Sequence, residues 1–140
     1  MWATGYVGHR RAYNVPRGNR HMAQIEDATA TMRSLKWSTA EKAVARRAFE
    51  SALRQEFEAV IREAKLRAAK VEQADELWEL ERYLTQRRAE IDRLYDFRYS
   101  VLPVVFGRLI HDGRLGEEDL HGLGEDKLAL IRSCRKLSRA

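Results

Sequence analysis

Few residues in this 140-residue sequence have the types and spacing that chemistry requires. Of the four histidines, His9 and His21 lie in a glycine-broken N-terminal stretch. His111 falls at an expected helix end and His121 in a turn, so no pair has the spacing of metal ligands. The single cysteine, Cys134, has no Cys or His partner nearby and reads as a structural thiol. Gly122-Leu-Gly124 lacks the third glycine and the preceding strand of a dinucleotide loop. The carboxylates are spaced for exposed helix faces rather than as a converging pair. No enzyme, metal or cofactor is called for. The chemistry on offer is recognition, centred on Trp78. At 100° per residue Glu81, Arg82, Thr85 and Ala89 share its face, and Arg88 lies about 80° round the helix. Two readings stay open: a tryptophan packed on a neighbouring helix, or an interface anchor flanked by arginine, the composition of binding hot spots.

The elements that must position these residues are helices. From Trp37 to Ser100 there is no glycine and no proline. Ser38-Thr-Ala-Glu41 has the form of a capping box and predicts a helix start. Apolar residues then recur at three- and four-residue spacing from Val44 through Phe49, Leu53, Phe57, Ile61 and Ala64 to Val71, a stripe of about eight turns. Ala74-Asp75 marks a break. A second helix follows with Leu77, Leu80, Leu84, Ile91 and Leu94 at heptad positions, and Arg87 in one of the slots. A charge in such a seam is costly unless paired. One hairpin cannot cover two such stripes, so the pattern predicts a homodimer, with Leu77, Leu80 and Leu84 in the interface.

After Tyr99 the texture changes. Ser100 is a candidate cap for a short helix with Pro103 in its first turn, ended by Asp112-Gly113. A turn follows at 115–120, a bend at Gly122-Leu-Gly124, and a last helix from Glu125 to about Leu137. The expected fold is all-α: two long helices followed by a small head of short ones, homodimeric. The expected organisation is a single helical domain over 37–140, with 37–97 the long-helix dimerisation part and 98–140 the head. Residues 1–36 carry Gly5, Gly8, Pro16 and Gly18. They read as a disordered basic arm, or a non-native extension ahead of a start at Met22 or Met32.

The net charge is +5, yet six basic and two acidic residues fall in 1–36, which leaves 20 basic and 19 acidic for the rest. No basic stripe marks a phosphate-tracking face, which argues against nucleic acid. No run approaches the roughly 20 apolar residues of a membrane span, and no apolar leader is visible, so a cytoplasmic protein is expected.

The run Asp75-Glu-Leu-Trp78-Glu-Leu-Glu-Arg-Tyr-Leu-Thr-Gln-Arg-Arg88-Ala-Glu-Ile-Asp92 resembles the central helix of the fluorescence recovery protein family. So do Leu94-Tyr-Asp-Phe-Arg-Tyr-Ser100, Val105-Phe-Gly-Arg-Leu109, Gly113-Arg-Leu115 and Leu120-His-Gly-Leu-Gly-Glu-Asp-Lys-Leu128 with Ile131-Arg132. The resemblance spans about residues 38–135. It implies a homodimeric regulator that binds the C-terminal domain of the photoactivated orange carotenoid protein. Such a regulator speeds return to the resting form and detachment from the phycobilisome, ending non-photochemical quenching. Its place would be the cytoplasm, at the cytoplasmic face of thylakoids through its partner. By matching position, Trp78 and Arg88 are implied partner-binding residues and Leu77 a dimer-interface residue. Glu81 stands where the family places another polar residue. Arg82 departs from the family pattern, which has an acidic residue four places after the tryptophan. The alternatives are a family relative acting on another protein in a bacterium without that photoswitch, and a basic helical nucleic-acid-binding domain using the N-terminal arm.

Overall fold

The computed structural model describes residues 18–138. Its helices are α1 (Gly18–Ser34), α2 (Thr39–Ala69), α3 (Ala74–Leu94), α4 (Leu102–His111) and α5 (Glu125–Leu137), with a 3₁₀ turn at Glu117–Leu120 before α5. The described residues contain no strand. The all-α reading with two long helices and a head of short ones therefore holds.

The caps are local and mostly as the sequence predicts. Ser38 Oγ accepts from Glu41 N at 3.1 Å, and Glu41 Oε1 accepts from Ser38 N at 3.1 Å. These two bonds satisfy orphan backbone donors at the start of α2. The break before α3 is closed by Glu76, whose Oε2 accepts from Glu72 N at 2.7 Å and Gln73 N at 3.1 Å. In α4 the cap position is Val101 rather than Ser100, and Pro103 occupies the first turn as expected. Gly113, at φ 73°, follows the cap Asp112 in the left-handed conformation that glycine adopts without steric cost.

Part of the span 1–36, expected to be a disordered arm or a non-native extension, is helical: it contains α1, a helix of 17 residues. The four breakers that suggested disorder all lie at or before Gly18. After it, Met22, Ile25, Ala28 and Met32 recur at helical spacing. Met32 is buried, and Thr31 Oγ1 donates back to Asp27 O at 2.9 Å. Residues 1–17 lie outside the described residues.

The core does not stop at the expected boundary between long helices and head. Ala45, Ala48, Phe49 and Ala52 on the first half of α2 pack with Leu102, Val105, Phe106 and Leu109 of α4, Leu115, Leu120 and Leu123 of the connecting loops, and Ile131 of α5. The physical reason is size, since the roughly six turns of α4 and α5 alone cannot enclose a core. Small alanines let the head approach the α2 backbone. Within the head, α4 and α5 meet at Gly107, where an added Cβ would sit 2.8 Å from Arg135 N and from Cys134 Cβ. A chain of rings, Trp37–Tyr99–Phe97–Phe49–Tyr95, runs along the α2 side of the head at centroid separations of 5.0–5.6 Å.

A second tie joins the start of α2 to α5. Glu41 Oε2 accepts from Gly124 N at 2.9 Å and lies 3.0 Å from Lys127 Nζ, and Lys127 is buried. The Gly124 bond, with those from Ser38 and Lys127, holds the Glu41 carboxyl down to about 2 against the opposing effect of burial. Burial opposes charge on Lys127, but Glu41 and Asp126 outweigh it and raise its pKa. A carboxyl depressed in the folded state contributes stability above its unfolded value of 4.5, and that stability is lost as pH falls from there toward about 2. Urea midpoints measured across this window should fall with pH in the wild type. In Glu41→Gln the fall should be shallower, with about 1–3 kcal/mol less stability at pH 7.

Candidate functional site: the exposed face of the second long helix

Helix α3 faces α2 through Tyr83, Arg87, Ile91 and Leu94. Arg67 of α2 lies over the Tyr83 ring, 4.1 Å from its centroid, and Leu80 lines a cleft with Arg67, Lys70 and Val71. Arg87 is the charge that the heptad pattern puts in the seam. It is paired on both sides, with Glu90 one turn on and with Glu56 of α2. The Glu56 carboxylate is almost wholly enclosed, its side chain 4% exposed. Its Oε2 also accepts from Tyr95 OH at 3.0 Å and lies 3.1 Å from Arg114 Nε. One carboxylate thus ties α2, α3, the segment after α3 and the Gly113-Arg114 loop of the head. Burial and the Glu56 carboxylate together push the Tyr95 hydroxyl pKa upward, so it stays a donor. On Arg87 burial opposes the charge, while the bonds to Glu90 and Glu56 raise its pKa overall.

With α3 fixed in this way, its remaining faces are open. Trp78 is 61% exposed, so packing on a neighbouring helix does not account for it within the protomer. Glu81 is exposed, and its Oε1 accepts from Thr85 Oγ1 at 2.8 Å. Arg82, also exposed, has no ion pair or hydrogen bond among the described residues. Arg88 has an 86% exposed side chain whose Nε lies 3.9 Å from Asp92 Oδ2. Trp78, Glu81 and Arg82 therefore come together within one turn. Arg88 stands about 15 Å from Trp78 along the axis. It borders a cleft of about 290 Å³ whose apolar wall is Phe57, Val60, Leu84 and Ile91.

Of the three interface candidates, Leu77 and Leu84 are 47% and 40% exposed, whereas Leu80 turns toward α2 and is half-buried. On the same flank α2 leaves Phe57 and Ile61 about half exposed. The Glu56–Arg114 tie went unread in the sequence because its members lie far apart in the chain. Arg87 in an apolar slot was the one visible sign that a carboxylate had to face it. Elsewhere His111 and His121 are exposed, and Cys134 is a half-buried thiol whose pKa burial pushes up. No group of His, Cys, Asp and Glu suited to a metal occurs among the described residues.

A sequence profile for the photoprotection regulator fluorescence recovery protein matches residues 37–135. The curated fluorescence recovery protein of Synechocystis sp. PCC 6803 is 35% identical over 101 residues, which cover 72% of this chain and 93% of that protein. The chain belongs to the fluorescence recovery protein family. The structure of the Fremyella diplosiphon family member aligns with a TM-score of 0.69 at 39% identity, covering 72% of this chain and 99% of that one. That of the Synechocystis protein aligns with the same score and coverage at 34% identity. The family's role is photoprotection regulation, and its match begins at Trp37, so α1 lies outside it.

Truncating the central carboxylate should be costly. Glu56→Ala leaves Arg87, Arg114 and the Tyr95 hydroxyl facing an emptied site. Urea denaturation should show a loss of ~3–5 kcal/mol. Trp78→Ala, removing an exposed ring, should change the same measurement by no more than about 0.5 kcal/mol.

Proposed function

We propose that this chain is a non-enzymatic regulator that binds the photoactivated orange carotenoid protein at its C-terminal domain. It accelerates that protein's reversion to the resting form and its detachment from the phycobilisome, ending photoprotective quenching. The observation that carries this reading is Trp78, 61% exposed on a helix locked from behind, in a chain of a photoprotection-regulator family. A large aromatic left in water at a rigid site is the usual anchor of a protein interface. Trp78, Glu81, Arg82 and Arg88 are the proposed partner-binding residues. Trp78 and Arg88, about 15 Å apart, fit within the ~800 Å² per partner of a standard interface.

The working form is a homodimer joined through the flank of α2 and α3 that carries Phe57, Ile61, Leu77 and Leu84. Burying each of these side chains would contribute ~1.5–3 kcal/mol at full burial. Leu80, which faces α2, supports the hairpin rather than the dimer seam. This flank lies about 100° round α3 from Trp78, so pairing on it leaves the tryptophan open. The regulator acts by differential binding. It speeds reversion only if it holds the barrier-crossing state of the carotenoid protein more tightly than the red state. The proposed place of action is the cytoplasm, at the thylakoid surface where the antenna sits. No helix among the described residues is long and apolar enough to cross a membrane.

Two measurements test this reading. Sedimentation of the full chain at micromolar concentration should give a dimer, and Leu77→Glu should give a monomer because it puts a charge into the seam. A wild-type monomer refutes the dimer. In size-exclusion runs the chain should co-elute with the illuminated carotenoid protein and much less with the dark-adapted one. Trp78→Ala and Arg88→Ala should co-elute poorly while keeping their helical circular dichroism. Unfolded variants, or wild type that ignores the illuminated protein, would refute the assignment.

A further inference from the structure

The ridge of α3 that bears Trp78 carries an electrostatic asymmetry. Within about 60° of the tryptophan lie Asp75, Glu81, Arg82, Asp92 and Arg93. The formal charges nearly cancel, and two of the three carboxylates have a side-chain partner. Glu81 accepts from Thr85 at 2.8 Å, and Asp92 faces Arg88 at 3.9 Å. Asp75 sits in the first turn of α3, where the unpaired backbone N–H groups compensate its charge. Arg82 and Arg93 have no such partner among the described residues. Arg82 stands one turn from Trp78, on the same face, and both are exposed.

In the dimer proposed above, a second copy seated on Leu77 and Leu84 lies about 100–120° round α3 from Trp78. The occupant of the ridge is therefore a different molecule, and two features define its chemistry. Trp78 offers ~150–250 Å² of aromatic surface and calls for an apolar socket. Arg82 offers an unclaimed guanidinium fork, suited to a carboxylate taken in bidentate fashion. We propose that Arg82 is a specificity-determining residue of the partner face, and that the partner presents a carboxylate at the rim of the socket that receives Trp78. This rests on the partner reading given above. In that reading the apolar contact supplies affinity common to any family partner. The Arg82 pair selects carotenoid proteins that carry an acidic residue at that rim and rejects those that carry a basic one.

The test is a binding titration of the full chain against illuminated orange carotenoid protein between about 20 and 500 mM salt, a range across which screening removes most exposed ion pairing. Wild-type affinity should fall with salt. Arg82→Ala should weaken binding about two- to fivefold at low salt, the range of an exposed ion pair, and flatten the salt dependence. Arg82→Glu should weaken it about tenfold or more, because like charges then meet at the rim. Arg82→Lys should keep the salt slope and recover part of the affinity. Trp78→Ala should weaken binding at every salt concentration without changing the slope, which separates the socket from the rim. Wild type that binds while Arg82→Glu binds equally well or better overturns the Arg82 assignment alone. Wild type that does not bind overturns both it and the carotenoid-protein reading.

Discussion

The arrangement depends on one buried carboxylate. Glu56 reaches from the middle of α2 and takes Arg87 of α3, Tyr95 of the following segment and Arg114 of the head. A carboxylate so enclosed costs several kcal/mol in lost hydration, and only a full set of donors offsets it. The set is supplied by three chain segments, so the carboxylate is satisfied only when the hairpin is closed and the head is seated. Shape and charge compensation are the same event here. This explains why an arginine is tolerated in an otherwise leucine-lined seam.

Around that tie the two halves of α2 have different tasks. The first half carries Ala45, Ala48 and Ala52, small enough for the head to lie directly on the helix, with Phe49 anchoring the aromatic chain. The second half carries Phe57 and Ile61, which stay about half exposed among the described residues. The helix thus builds a core at one end and leaves an apolar flank at the other. Beside it on α3, Leu77 and Leu84 are also exposed, and Trp78 stands about 100° round that helix from Leu77.

Much of this was legible in the sequence wherever the determinant was local. Ser38 and Glu41 cap α2 as their spacing says, α5 runs from Glu125 to Leu137 as expected, and Pro103 falls in the first turn of its helix. What escaped was non-local or masked by stronger signals. The partner of Arg87 lies 31 residues away on another helix, a separation that no periodicity encodes. Glu41 reads as a cap, and its second role toward Gly124 and Lys127 depends on a fold that brings residues more than 80 positions apart together. Helix α1 was hidden because Gly5, Gly8, Pro16 and Gly18 dominate the composition of the first 36 residues, although the chain beyond Gly18 has helical spacing. For Trp78 the heptad phase placed it off the seam but could not say whether a neighbour covered it. The exposure of the ring answers that for the protomer.

The central claim is that a rigid, aromatic, arginine-flanked ridge catalyses a conformational return by binding rather than by chemistry. It is tested most directly by the dark recovery of illuminated orange carotenoid protein, followed by absorbance at fixed temperature with increasing amounts of the wild-type chain. The account predicts a recovery rate that rises with the chain and saturates, with the chain itself unconsumed. A recovery rate indifferent to the chain at saturating concentration would contradict it.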